Sequence, residues 1–190
     1  MKIHLIAFVL LPMLAGCLGT APKAPKNWTV EWTGTTVENA SDAKAPSVKL
    51  QQLEVRAPYG GSRIAVLRPD GSIVFDAFNA FAAPPASLLK GAAFDVVEAS
   101  GVFSRAVRPG SSAAADLSLE ITVTRLALDC RAEGRREASV ELVMTLVGGR
   151  SVVSSANGEA SAPVDGDFSA AFSHAFENAV LSALRSLKVK

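Results

Sequence analysis

Leu14-Ala15-Gly16-Cys17 is the stretch of this chain whose residue types and spacing most clearly specify a reaction. It closes a short apolar run near the N-terminus and reads as a bacterial lipobox. Lys2 supplies a positive start, and Leu5 to Leu11 an apolar centre. Ala15 and Gly16 are small enough to let the backbone enter a narrow protease cleft. The Cys17 thiol is then the nucleophile that takes a diacylglyceryl group, and cleavage before it leaves a lipidated N-terminus. A plain secretory signal shares the charged start and apolar core, but the small residues ending on cysteine favour the lipobox. A membrane-spanning helix needs roughly 20 apolar residues, and Pro12 interrupts a run far shorter than that. Two or three acyl chains, at about 0.8 kcal/mol per buried methylene, anchor stably where one does not. Cys17→Ser is expected to accumulate as an uncleaved precursor without incorporated radiolabelled fatty acid. Normal processing and labelling of that variant would remove the lipid assignment.

Other catalytic chemistry finds little support. His4 leaves with the signal, so the mature chain keeps one histidine, His174, between Phe172 and Phe176. Two or three histidines for a metal are therefore missing, and no cysteine pair replaces them. No Gly-x-Ser-x-Gly elbow, phosphate loop or dinucleotide fingerprint occurs. His174 reads as a surface or boundary residue, and Asp70, Asp76 and Asp95 as turn or solvent residues. With Cys17 lipidated, Cys130 has no partner and reads as a buried, inert thiol. No metal or cofactor is expected, and an enzyme is not. A net charge of +1 gives no field for a polyanion, so nucleic acid is not an expected partner.

Residues 1–16 read as signal, 17–26 as a lipidated tether rich in Pro and Lys, and 27–190 as a single domain. Hydrophobic content of 49% and charged content of 19% suit a packed core. Trp28 to Thr33 alternates apolar and polar residues and predicts a strand with both tryptophans on one face. Gly34 to Pro46 reads as a loop. Val48 to Val55 predicts a strand with a break at Gln51-Gln52. Arg63–Leu67 and Ile73–Phe75 flank Pro69-Asp70-Gly71 and predict a hairpin. Pro84-Pro85 opens a helix that carries Leu88, Leu89, Ala92, Val96 and Ala99 on one face and ends at Gly101. A short strand within 102–107 follows. Leu117–Thr124, Ala138–Val147 and Ser151–Ala162 predict three more strands. The last two are joined by Gly148-Gly149. Asp167 to Leu187 predicts a closing helix with Phe168, Phe172 and Phe176 in its apolar stripe. The expectation is an α+β fold: a mostly antiparallel sheet with two amphipathic helices packed on one face.

Phe75-Asp76-Ala77-Phe78-Asn79-Ala80-Phe81, between hairpin and helix, reads as a loop. Aromatics in loops on a rigid scaffold are candidate partner contacts. Tyr59, Phe78 and Phe81 are the candidates here, with burial in the core the competing reading, strongest for Phe81.

Several segments in order resemble the ABC-type transport auxiliary lipoprotein family, which includes the paraquat-inducible lipoprotein of the bacterial envelope. They are Arg63-Ile64-Ala65-Val66-Leu67-Arg68, Gly71 with Phe75, Ala83-Pro84-Pro85-Ala86-Ser87-Leu88-Leu89 and Glu98-Ala99-Ser100-Gly101-Val102-Phe103. Trp28-Thr29-Val30 looks like the family's opening aromatic strand. Two places depart from its pattern: Ala57-Pro58-Tyr59-Gly60-Gly61 stands for a Pro-x-Tyr-Leu segment, and Phe81 for a tryptophan. The resemblance implies a non-catalytic docking component beside an ABC transporter that carries mammalian-cell-entry (MCE) domain proteins and moves lipids between membranes. The expected partners are an MCE-domain protein, the membrane through the N-terminal lipid, and further copies of the chain. Leu18 is not the aspartate that retains lipoproteins in the inner membrane, so the expected site is the outer membrane, facing the periplasm. An envelope-assembly lipoprotein of another machine, serving lipopolysaccharide or a secretin, is the alternative, and a secreted hydrolase a more distant one.

Overall fold

The computed structural model describes residues 24–34 and 44–189. The signal, Cys17 and most of the tether lie outside the described residues, as does most of the 34–46 loop. The strands are β1 (Lys26–Trp28), β2 (Ser47–Val55), β3 (Arg63–Leu67), β4 (Ile73–Phe81), β5 (Arg105–Val107), β6 (Leu117–Asp129), β7 (Glu137–Gly148) and β8 (Ser151–Pro163). The helices are α1 (Pro85–Ala99), between β4 and β5, and α2 (Phe168–Ser186), after β8.

The class is α+β, and the sheet is mixed where a mostly antiparallel one was expected. The β1–β4, β2–β5, β2–β6 and β3–β6 pairings are parallel. Only β3–β4, β6–β7 and β7–β8 are antiparallel. The reason lies in β6, which is long enough to carry two neighbours on one edge. Its first half pairs with β2, from Val48↔Leu117 to Val55↔Val123. Its second half pairs with β3, from Ala65↔Ala127 to Leu67↔Asp129. β2 and β3 therefore run in the same direction along one strand, with residues 56–62 as an excursion between them. Alternation reveals which residues face inward but not which strand lies alongside. The break expected at Gln51-Gln52 is present, because Leu50 pairs with Leu119 and Gln52 with Glu120.

Both helices cover one face, and the inward side chains of β2, β6 and β7 join them in one core. Leu119, Ile121, Val140, Leu142, Met144, Phe172 and Phe176 are fully buried there. The second side of the sheet holds a small cluster, Ala65, Leu67 and Ala127, under Tyr59. Asp167 caps α2 by accepting from the Ala170 amide at 3.0 Å.

The N-terminal segment departs from its expected strand. Lys26, read as tether, already pairs with Asn79, and the strand stops at Trp28. Residues 29–33 continue extended along α2. The Thr29 and Glu31 amides donate to Ser169 and Ser173 Oγ at 3.1 and 3.0 Å, and the Thr33 hydroxyl donates to Glu177. Two extended residues advance about 6.6 Å, and four helical residues about 6 Å. Every second residue of the strap therefore meets every fourth residue of the helix. The tryptophans part company: Trp28 stacks on Phe168 with ring centroids 5.4 Å apart, while Trp32 is partly exposed.

Candidate functional site

The segment read as a loop from Phe75 to Phe81 is strand β4 with a wide bulge. Ala65 pairs with Phe75 and Arg63 with Ala80, so one residue of β3 faces four of β4, Asp76 to Asn79. Such a bulge must satisfy its own backbone. Asp76 Oδ1 accepts from the Phe78 and Asn79 amides at 2.7 and 2.9 Å, and Asn79 Nδ2 donates to Asp76 Oδ2 at 3.1 Å. Trp28 Nε1 donates to Asn79 Oδ1 at 2.9 Å, which ties the bulge to β1.

The bulge separates the aromatics. Phe78 projects outward and is 64% exposed. Phe81 is 2% exposed and meets Phe172 edge-on at 5.2 Å. Phe81 is therefore a core residue and leaves the candidate docking set; the register shift turns it inward. Tyr59 lies between these extremes, half-buried over Ala65, Leu67 and Ala127.

Two further hydrophobics share this side of β4. Ile73 pairs with Leu67 and Phe75 with Ala65, so both stand on the face opposite the helices, and each is 39% exposed. The Arg63 guanidinium sits 5.5 Å from the Phe75 ring centroid, and its Nη2 donates to the Phe75 carbonyl at 3.4 Å. Neither Ile73 nor Phe75 was named as a candidate contact from the sequence, although Phe75 opens the aromatic segment. Their alternation was visible, but their exposure follows from β3 having a two-sided environment. The site is thus a low apolar face of Tyr59, Ile73 and Phe75, edged by Arg63, with Phe78 projecting from the adjoining bulge. Further along, that side of the sheet carries the Arg125–Glu141 ion pair with Glu54, Glu120, Thr122 and Ser155, and at its far end the exposed Val152 paired with Val147.

The charged groups act locally. Asp116 accepts from the Ser47 hydroxyl and amide at 2.7 and 2.8 Å, and these bonds hold its carboxyl below the ordinary range. They fasten the start of β2 to the start of β6. The Ser72 hydroxyl and amide lower Asp70 in the hairpin turn in the same way. Arg131 grips Asp129 through Nε and Nη2 and lowers its carboxyl. His174 is on the exposed side of α2. Among the described residues no group of three or more His, Cys, Asp or Glu side chains could hold a metal ion. No helix among them is long and apolar enough to cross a membrane.

Cys130 follows β6, partly buried against the core, and its amide donates to the Leu67 carbonyl at 2.9 Å. Its backbone, not its thiol, makes that bond. Cys130→Ala is expected to keep the fold, with a change in unfolding free energy below about 1.5 kcal/mol. Chemical denaturation reads this, and a larger loss would assign the sulfur a packing role.

No family model and no curated protein matches this chain. Solved structures do. A Xanthomonas campestris protein of family DUF330 matches with a TM-score of 0.59 and 20% identity, over 86% of this chain and 90% of that one. An uncharacterised protein matches with a TM-score of 0.61 and 11% identity, over 86% and 96%. At these identities the likeness is one of fold. A looser match is PelC from Paraburkholderia phytofirmans, solved as a dodecamer, with a TM-score of 0.41 and 14% identity over 87% and 95%.

Proposed function

We propose that this chain is a lipid-anchored auxiliary subunit of an ABC-type lipid transport system carrying MCE-domain proteins. Cys17 tethers it to the outer membrane, facing the periplasm. The folded body is a non-catalytic docking module. Its contact surface is the β3–β4 face, with Phe78 and Tyr59 as anchors and Ile73 and Phe75 beside them. The observation that carries this reading is the Asp76 bulge. Three hydrogen bonds and a tie to Trp28 hold it in the one conformation that puts a phenylalanine into solvent. Folding alone gains nothing from exposing Phe78. A pre-organised aromatic is what an interface uses, because its ordering cost is met before binding.

The reading draws further support from the lipobox and from the ordered family-like segments. Of these, Arg63–Leu67 forms β3 and Gly71 with Phe75 lies in the β3–β4 hairpin, while the other two flank and form α1, so part of the resemblance falls on the proposed docking face. The test is capture of an MCE-domain protein of an ABC-type lipid transporter. Self-association is read in parallel, because further copies are a second expected partner. Phe78→Asp and Tyr59→Ala are compared with wild type at matched stability. A hot-spot aromatic is worth about 2 kcal/mol or more, so Phe78→Asp is expected to weaken capture by at least about thirtyfold.

A further inference from the structure

β8 is the sheet's longest edge. Among the described residues it pairs with β7 alone. From Ser154 to Pro163 its register is unbroken, its one charged side chain is Glu159, and its one proline is the last residue. Edge strands are ordinarily protected by lysine, internal proline, bulges or a covering element, since their outward amides and carbonyls recruit strands. Here the first part is occupied, because the Lys188 amide donates to Ser154 Oγ at 3.1 Å. Among the described residues, the stretch from Ala156 to Pro163 has no such cover.

α2 stands directly on this strand. A Cβ placed on Gly158 would lie 2.0 Å from the Ala179 carbonyl oxygen. The inward residues Ala156, Gly158, Ala160 and Ala162 are all small, which lets the helix come this close. Beside the edge, α2 presents Ala170, His174 and Asn178, which with Ser161 and Asp165 line an open groove. The groove is thus a sheet edge on one side and a polar helix flank on the other.

Helices pack about 8–10 Å apart, whereas strands lie about 4.8 Å apart. A helix seated over the edge strand leaves room beside it for one bare strand. It leaves none for a strand that carries its own covering helix, which excludes the β8 of a second copy. The open end carries the exposed carboxylates Asp165 and Asp167, and the basic Arg185 and Lys188 lie at the occupied end.

We infer that the β8–α2 groove takes an extended, helix-free segment of a partner polypeptide as a ninth strand, with a lysine or arginine of that segment beside Asp165. Backbone pairing supplies the affinity, and the acidic end sets the direction. This surface lies away from the β3–β4 docking face and does not depend on that assignment.

The probe is a library of random linear peptides displayed on phage, selected against the folded body. Enriched peptides are expected to alternate β-branched residues and to carry Lys or Arg near one end. A synthetic copy should slow amide exchange in β8 between Ala156 and Pro163. N-methylation of every second amide on one edge of the peptide should abolish binding, while methylation of the intervening amides leaves it intact. Asp165→Lys should weaken binding by at least about tenfold, the worth of a lost charge-assisted contact. No enrichment, equal tolerance of N-methylation at all positions, or unchanged β8 exchange would each overturn the inference. Phe78→Asp should leave peptide binding unchanged, which separates a failure here from a failure of the docking face.

Discussion

Phe172→Ala is expected to destabilise the protein by about 3–5 kcal/mol, the range for removing a large aromatic from a closed core. Phe172 has no exposed surface. Its ring meets Phe81 edge-on and Phe168 at 6.5 Å, so it joins α2 to the end of β4 beside the docking face. Truncation opens a cavity between elements that cannot collapse separately, because Trp28 is stacked on the next ring. Urea denaturation of the soluble body reads the loss as a lower midpoint at constant slope. A change below about 1 kcal/mol is what surface positions show and would place the phenylalanine stripe outside the core.

Gly158→Ala is expected to be strongly destabilising for the opposite reason. Overpacking costs about 1–3 kcal/mol where neighbours can shift. At Gly158 the obstacle is backbone: the Ala179 oxygen at 2.0 Å and its carbon at 3.0 Å, with the Ala183 Cβ at 3.0 Å. Relief requires α2 to lift from β8, and with it Ala179, Ala183 and Val180 leave the core. The expected loss is at the upper end of that range or beyond, read in the same denaturation experiment. Gly149→Ala, in the β7–β8 turn, is the comparison: nothing lies within 4 Å of its Cβ, and its cost is only the positive φ of 61°. A Gly158 variant as mildly affected as the Gly149 variant would contradict the close seating of α2.

These two residues also show where the chain was legible and where it was not. Phe172 announced itself, because phenylalanines four apart on a helix flanked by acidic and basic ends have one economical reading. The strands of the second half were equally clear, since their alternation is long and uninterrupted. Gly158 was silent: a glycine within Ser-Ala-Asn-Gly-Glu-Ala says nothing of a helix whose Ala179 oxygen would lie 2.0 Å from any Cβ placed there. The direction of β2 and β3 was silent too, because partners far apart in sequence leave no local mark, and this turned an expected antiparallel sheet into a mixed one. The strap from Thr29 to Thr33 alternates like a strand, yet its partners are helix serines and a glutamate. At the candidate site, the spacing of Phe75, Phe78 and Phe81 suggested a loop. The structure keeps Phe78 outside and buries Phe81, because Asp76 supplies acceptors that let four residues bulge from the ladder. Ile73 and Phe75 were not named as contacts since a hairpin strand normally has one wet face, and only the Tyr59 cluster shows that both faces of β3 are apolar.

Quantitative capture of an MCE-domain protein by wild-type, Tyr59→Ala and Phe78→Asp bodies is the most direct test of the proposed docking role. All three should unfold at closely similar denaturant midpoints, since Phe78 is solvated and Tyr59 half-buried. The account predicts that Phe78→Asp loses capture by at least about thirtyfold and Tyr59→Ala by about fivefold or more. Capture and self-association that are both unchanged in the two variants, at matched stability, would contradict it.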